Sequence, residues 1–268
     1  VNENRYVEQV MGLPVTLVLR GRHAGTDAGA AAWSEVLACL RYVDTTFSTY
    51  RPGSAVSRID RGELTVDDAP AVVREVVELA ERAHELTDGW FSVWLPDADR
   101  PGRRRFDPSG LVKGWAVERA ATALDRLDGT DWCLAAGGDL VARTGRTHDG
   151  RVPWRVGVED PADPRRTLAV VPLLDGGCAT SGDAHRGAHV LDPWTGRPAR
   201  AGGSVTVVAP TLLWADVWAT AGYARGDAAA DWLAATCPYT TLVVGPGGDV
   251  RMTDARDRDR TVTSVAHA

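Results

Sequence analysis

The segment Asp131–Arg143, DWCLAAGGDLVAR, decides the fold class. It carries short β-type runs bounded by Gly and Asp. Gly137-Gly138-Asp139, at a strand end, reads as a turn that lets backbones approach closely. The pattern recurs downstream in PWRVGVEDP (153–161), TLAVVPLL (167–174), GSVTVVAP (203–210) and TTLVVGPGGDVRM (240–252). Upstream, VEQVMGLPVTLVLRG (7–21) alternates apolar residues around a Gly-Leu-Pro break and predicts a bent strand or hairpin arm.

Helical spacing fills the rest of the first half. One helix carries Trp33, Val36, Leu37, Leu40 and Val43 on one face. A second is predicted from about Ala69 to Leu86, with Asp68 as its cap, a stripe of Val72, Val73, Val76, Val77 and Ala80, and Gly89 just past its end. A third is predicted to start near Lys113, with Val117, Ala120, Ala121, Leu124 and Leu127 inward and Gly129 as its stop. STYRPGS (48–54) has turn chemistry, and LPDADRPGRRR (95–105) reads as a polar, Pro-rich loop. Two short helices are expected at Ala215–Tyr223 and Ala228–Ala235. There are no internal repeats or low-complexity linkers. The expectation is one α+β domain over residues 1–268, with helices packed on an antiparallel sheet.

The chain has 268 residues, 44% of them hydrophobic, and a net charge of −6 with well-mixed signs. That balance argues against general nucleic-acid or anionic-membrane binding. An anionic substrate would need a metal or a few local cations. Cys39, Cys133, Cys178 and Cys237 are widely spaced, with no metal-binding pattern, and read as buried free thiols. No apolar run is long enough to span a bilayer, and the first residues, VNENRYVEQV, do not read as a signal peptide. As given, the chain reads as soluble and cytoplasmic.

Four stretches carry chemistry. FDPSGLVKGWAVERAA (106–121) holds Lys113, the only lysine among 30 Lys and Arg. A compact ammonium between Gly110 and Gly114, at the start of a helix whose N–H groups are unpaired, makes an anion site; the plainer alternative is a solvated lysine. In WADVWATAGYARG (214–226), Asp216 and Thr220 lie four apart on one helical face. They can share a hard cation such as Mg²⁺, or Asp216 can simply cap the helix. In CATSGDAHRGAHVLDPWTGRPA (178–199), Gly-containing turns flank a strand-like AHVLDP. There Thr180, Ser181 and the Gly182 backbone can donate to a phosphate or ring carbonyl, and His189 is the histidine best placed for proton transfer. His185 is undecided, and His23, His84, His148 and His267 are assigned no role. The fourth stretch is the Gly137-Gly138-Asp139 turn.

In order along the chain, MGLPVTL, FSTYRPGSAVSRID, TDGWF, DPSGLVKGWAVERA, GGDL, WRVGVEDP, ATSG, HVLDPWTGRPA, VTVVAP and ADVWATAGYARG resemble the ApbE family of FAD:protein FMN transferases. The resemblance spans roughly Met11 to Gly226. It implies a T-fold-like α+β arrangement. It also implies an enzyme that binds FAD and Mg²⁺ and transfers FMN to a Ser or Thr hydroxyl of an acceptor protein, releasing AMP; some members hydrolyse FAD to FMN and AMP. Carried over by position, the flavin and nucleotide contacts are Met11, Tyr50, Asp107, Lys113 and Val190. The metal ligands are Gly110 and Ala219 through their carbonyls, with Asp216 and Thr220. His189 is the base that activates the acceptor hydroxyl.

One block departs from the pattern. In GWFSVWLPDADRPGRRR (89–105) the residue at the usual Asp is Ser92, and the connection to Asp107 is short. Trp90, Phe91 and Trp94 can stack on a flavin or adenine ring there, or pack in the core. The implied function is therefore an Mg²⁺-dependent flavin transferase. The alternatives are an FAD pyrophosphatase and a non-catalytic flavin- or nucleotide-binding relative.

Overall fold

A computed structural model of the chain describes residues 2–145, 151–184, 187, 189–199 and 202–254. His148, His185 and His267 lie outside them, as does Ala188 of AHVLDP. Strands β1 (Glu3–Val10) and β2 (Leu13–Gly21) form an antiparallel hairpin. The chain reverses at Met11-Gly12, whose φ angles are 57° and 71°. A two-residue turn of this kind needs both central residues in the left-handed region. The break expected at Gly-Leu-Pro is therefore a full reversal, and Pro14 is an ordinary member of β2.

Helix α1 (Asp27–Phe47) starts at Thr26, whose side chain accepts the Gly29 N–H, and buries the predicted stripe. Helix α2 (Ala55–Asp60) grows out of the STYRPGS turn because Ser54 caps it. Helix α3 (Ala71–Leu86) buries its predicted Val and Ala residues but starts later than expected. Pro70 takes the cap position, and the Asp68 carboxylate instead accepts the Thr65 hydroxyl. The Pro-rich loop closes a short ribbon, β3 (Trp94–Pro96) with β4 (Arg104–Phe106). Arg103 fastens it by pairing with both Asp60 and Asp97, at 2.8 and 2.9 Å.

Helix α4 (Ser109–Ala121) begins four residues before Lys113, so that lysine projects from the body of a helix and not from its first N–H groups. A 3₁₀ turn carries the inward stripe on to Leu124. There follow β5 (Thr130–Ala136), β6 (Asp139–Arg143), β7 (Trp154–Glu159), β8 (Thr167–Leu173), β9 (Asp175–Gly182) and β10 (Ser204–Ala209). Helices α5 (Leu212–Arg225) and α6 (Ala229–Thr236) precede the closing hairpin of β11 (Thr240–Val244) and β12 (Val250–Thr253). The strand-like AHVLDP contributes only a bridge between Leu191 and Pro198.

Eight strands make one antiparallel sheet in the order β1-β2-β5-β6-β9-β10-β11-β12. The period-two alternation splits its faces. Val15, Leu17, Leu19, Leu134, Ala179, Val205 and Val207 join the main core with the helices. On the other face Val18, Cys133, Leu140 and Ala142 pack against Trp154 and Leu173 of a separate β7–β8 ribbon. The architecture is thus the α+β, antiparallel one read from the sequence, although PWRVGVEDP and TLAVVPLL form a cover and not part of the main sheet.

Helix α5 is apolar on nearly all sides and lies between α4 and the sheet, as such helices must. Close approach on both sides is bought with glycine. A Cβ on Gly177 of β9 would fall 2.3 Å from the Leu212 Cα, and one on Gly114 of α4 would fall 2.9 Å from the Leu212 carbonyl oxygen. The four cysteines form no disulfide; Cys178 and Cys237 are buried, and Cys39 and Cys133 are half-buried. Among the described residues, no helix is long and apolar enough to cross a membrane.

Candidate active site

A cleft of about 630 Å³ opens where α4 and α5 meet the β1–β2 turn, the C-terminal end of α1 and the loop after β9. Its floor is set by the contact between the two helices. Thr211 caps α5 from its own chain, and Glu118 of α4 accepts the Leu213 N–H, tying the start of α5 to α4. Burial raises the Glu118 pKa above the usual carboxylate range, opposed by these backbone bonds. With the helices pinned there, Gly114 abuts Asp216, and its N–H donates to Asp216 Oδ2 at 3.2 Å. A regular helix directs that N–H at the Gly110 carbonyl; here Asp216 draws on it. Asp216 therefore does not cap its own helix.

Asp216 is 2% exposed, and its Oδ1 lies 3.3 Å from the Lys113 ammonium. On the other side the same ammonium contacts Asp139 Oδ2. Asp139 opens β6 immediately after the Gly137-Gly138 turn, and its Oδ1 accepts the Thr180 N–H at 3.0 Å. Two buried carboxylates thus share one ammonium. Burial pushes the Asp216 carboxyl up to about 7; Lys113 opposes the shift and the Asp139 charge adds to it. Asp139 was legible in the sequence only as the end of a turn. The signal that finds it is structural: a buried acid facing the chain's only lysine.

Beside Asp216, the hydroxyls of Thr220 and Ser181 stand 3.3 Å apart. Ser181 lies inside strand β9, not in a turn, and its neighbour Thr180 is already committed to Asp139 and to the Thr206 hydroxyl at 2.9 Å. Ala219 is buried in α5 directly before Thr220, and Gly110 of α4 lies close to Phe91 and Thr220. Among the described residues there is no cluster of three or more His, Cys, Asp or Glu side chains suited to a metal. The oxygen set here is different: the Asp216 carboxylate with the neighbouring hydroxyls of Thr220 and Ser181. It suits a hard cation that keeps water or phosphate ligands. The unneutralised second carboxylate is the feature such a cation would answer.

The walls are mixed. Met11, in its left-handed turn, and Tyr50, 94% exposed, border the cleft. Asp88 and Gly89, both at positive φ, turn the chain after α3 and bring Trp90 and Phe91 to the opposite wall. Thr87 accepts the Phe91 N–H at 3.0 Å, and His84 Nδ1 lies 3.1 Å from the Phe91 carbonyl. Phe91 belongs to the core, and Trp94 packs on Phe106 with ring centres 4.6 Å apart. Trp90 is half-buried, edge-on to Trp194 at 4.3 Å, with the Arg225 guanidinium 4.6 Å from its ring centre. Ser92 lines the cleft, but its hydroxyl serves Trp94, accepting the N–H and donating to the carbonyl. Asp107 accepts the Ser109 N–H and pairs with Arg105 at 3.0 Å. Val190 is buried at the edge. His189 is exposed on the cleft, with Nδ1 2.9 Å from the Gly187 carbonyl. A carbonyl only accepts, so Nδ1 carries a proton, and in the neutral ring the lone pair is on Nε2. Of the positions carried over from the family resemblance, all except Ala219 line this one cleft, as do Trp90, Phe91, Ser92 and Ser181; Thr180, Gly182, Trp94 and the Gly137-Gly138-Asp139 turn do not.

Fold and site define a class: an α+β protein in which an antiparallel sheet and a buried central helix hold an ammonium–carboxylate cluster at the floor of an aromatic-walled cleft. The ApbE family profile matches residues 11–98 and 96–244, and the chain belongs to that family. The FAD:protein FMN transferase of Escherichia coli K12 is 37% identical over 124 residues, covering 42% of this chain and 35% of that protein. The match therefore spans about a third of that relative's length. The FAD:protein FMN transferase of Chlamydia trachomatis is 25% identical over 83% of this chain and 85% of its own. The ApbE protein of Thermotoga maritima superposes with a TM-score of 0.80 at 23% identity, over 97% of this chain and 100% of that one. The flavin transferase ApbE of Vibrio cholerae gives 0.75 at 22%, over 96% and 98%. At these identities the two structures speak for the fold.

Proposed function

We propose that this chain is an Mg²⁺-dependent FAD:protein FMN transferase that attaches FMN to a Ser or Thr hydroxyl of an acceptor protein and releases AMP. The observation that carries the reading is the convergence of Lys113, Asp216, Thr220 and Ser181 on the floor of one cleft with aromatic walls. The transferases named among the relatives, and membership of the family, support the same chemistry.

In this reading Asp216 and Thr220, with the carbonyls of Gly110 and Ala219, would hold Mg²⁺. The cation supplies neutralisation of charge on the diphosphate. Lys113 binds the diphosphate as a point charge, and Ser181 offers it a hydroxyl. Met11, Tyr50 and Trp90 enclose the ring systems, with Phe91 and Val190 behind them and Ser92 and Asp107 bordering the nucleotide. His189 Nε2 takes the proton of the acceptor hydroxyl as its oxygen bonds to the phosphorus next to riboflavin. The bond from that phosphorus to the bridging oxygen breaks, and AMP leaves with that oxygen. A base in this position contributes on the order of 10²–10⁴-fold; positioning and electrostatics supply the rest.

The test is incubation with FAD and Mg²⁺, with and without a protein bearing a Ser/Thr flavinylation site. FMN that stays on the acceptor through denaturing electrophoresis, with equimolar AMP, is the expected result. Free FMN and AMP in both arms would make the protein an FAD pyrophosphatase. FAD bound and left intact would make it a flavin binder.

A further inference from the structure

We propose that Asp139 is a positioning residue that keeps the Lys113 ammonium in the cleft when a divalent cation takes Asp216. The inference rests on the cation reading above and adds a residue and a task to it. Asp139 is buried, and the Thr180 N–H fixes its Oδ1, so Oδ2 is presented to Lys113 by the sheet itself. Lys113 stands between Asp139 Oδ2 and Asp216 Oδ1. A cation at Asp216 and Thr220 competes with the ammonium for the Asp216 oxygens and repels it. Asp139 offers the ammonium a second carboxylate, outside the oxygen set assigned to the cation. The dication can then sit on Asp216 while Lys113 stays on Asp139, facing the cleft. Without the Asp139 charge, Lys113 is drawn to Asp216, and an incoming cation must displace it.

The simpler alternative is that Asp139 only adds negative charge near the cation. A double-mutant cycle separates the two. Mn²⁺ binding, read by electron paramagnetic resonance without flavin, is measured for the wild type, Asp139→Asn, Lys113→Met and the double variant. Asp139→Asn keeps an acceptor for the Thr180 N–H. If Asp139 works by holding Lys113, Asp139→Asn weakens Mn²⁺ by about tenfold or more, and by less than about threefold once Lys113 is Met. Equal weakening in both backgrounds overturns the proposal and leaves a plain charge effect.

A second readout needs no variant. Lys113 is the only lysine, so ¹⁵N-lysine labelling yields a single ammonium resonance. An ion-paired ammonium exchanges its protons slowly enough to be seen, and the signal is expected to persist, shifted, at saturating Mg²⁺. Its disappearance on Mg²⁺ addition to the wild type overturns the proposal even if Asp139→Asn fails to fold. Wild-type protein that binds no Mn²⁺ would instead overturn the cation reading; binding without the coupling overturns only the role of Asp139.

Discussion

The floor and the mouth of the cleft are built on opposite principles. On the floor two buried carboxylates are held in place by fixed partners: Asp216 by Lys113 and the Gly114 N–H, Asp139 by the same Lys113 and the Thr180 N–H. Their positions are dictated by helix–helix and strand–strand contacts that leave no slack. At the mouth, Tyr50 is 94% exposed and Trp194 55%, and His189 is exposed on a loop, with its backbone N–H and its Nδ1 both at the Gly187 carbonyl. Buried charge is costly unless paired, so it persists where a site needs it. Exposed aromatic and imidazole groups cost little and can await the ligand that orders them. The contrast implies that floor substitutions are all-or-none, whereas mouth substitutions are graded.

The largest effect expected is Asp216→Ala. It removes the carboxylate that the cation reading requires and strips Lys113 of an acidic partner. Mg²⁺-dependent AMP release from FAD should fall to background, by on the order of 10³-fold or more, as for loss of a central electrostatic group. Undiminished turnover would refute the metal assignment. The mouth counterpart, His189→Ala, should slow transfer to the acceptor while leaving FAD affinity nearly unchanged.

Next in size is a pH effect on the floor alone. The Asp216 carboxyl titrates near 7 in the folded protein against 3.8 for the ordinary side chain. Between those values the folded state holds a proton the unfolded chain has lost. Metal-free stability therefore declines as pH rises from about 4 to about 7 and then levels, by at most a few kcal/mol at about 1.4 kcal/mol per unit. A bound cation needs the ionised carboxylate, so the Mg²⁺-induced gain in melting temperature should grow over the same window. Melting curves with and without Mg²⁺ at several pH values check both slopes. A stabilisation by Mg²⁺ that shrinks on alkalinisation would contradict the burial of an acid at that position.

The two regions also differed in how well they could be read from sequence. The alternating runs and the helical stripes named the strands and the buried faces, because periodicity follows from burial. Lys113, Asp216 and Thr220 were visible as chemistry at helical spacing. Three things were not visible. Asp139 was hidden because nothing local marks which strand-end acid will face a lysine 26 residues upstream. The start of α4 was misplaced because its cap position is Pro108, which has no side-chain acceptor to bond, and the Asp107 carboxylate instead accepts the Ser109 N–H from one residue further out. The Met11-Gly12 reversal was missed because methionine is a poor left-handed residue, and Pro14 drew attention to the wrong position.

A smaller effect is expected at the helix crossing. Gly114→Ala places a methyl 2.9 Å from the Leu212 carbonyl oxygen and 3.0 Å from the Asp216 Cβ. Backbone cannot yield there without parting α4 from α5, so a loss of about 1–3 kcal/mol is expected despite the better helix propensity of alanine. Because the same contact carries the Gly114 N–H to Asp216, cation affinity should fall with stability. Gly110→Ala is the control. Its methyl would meet the Phe91 ring at 3.5 Å, an ordinary contact, and should leave stability nearly unchanged. Equal penalties at both positions would mean that the floor is looser than the geometry indicates.

The smallest effect tests whether the mouth gives up stability for function. Met11 adopts φ of 57° in a turn whose favoured sequence is Asn-Gly. A left-handed non-glycine residue costs roughly 1–2 kcal/mol, less for Asn. Met11→Asn should therefore stabilise the protein by up to about 1 kcal/mol, seen as a higher urea midpoint at unchanged slope. The same change removes a thioether from the wall of the cleft, so the KM for FAD should rise while kcat changes little. A variant that is both more stable and unimpaired would show that the methionine is incidental to the mouth. If it is more stable but binds flavin less tightly, the strain at Met11 is retained for the ligand, and the difference between a buried, tightly packed floor and an exposed mouth extends to the backbone itself.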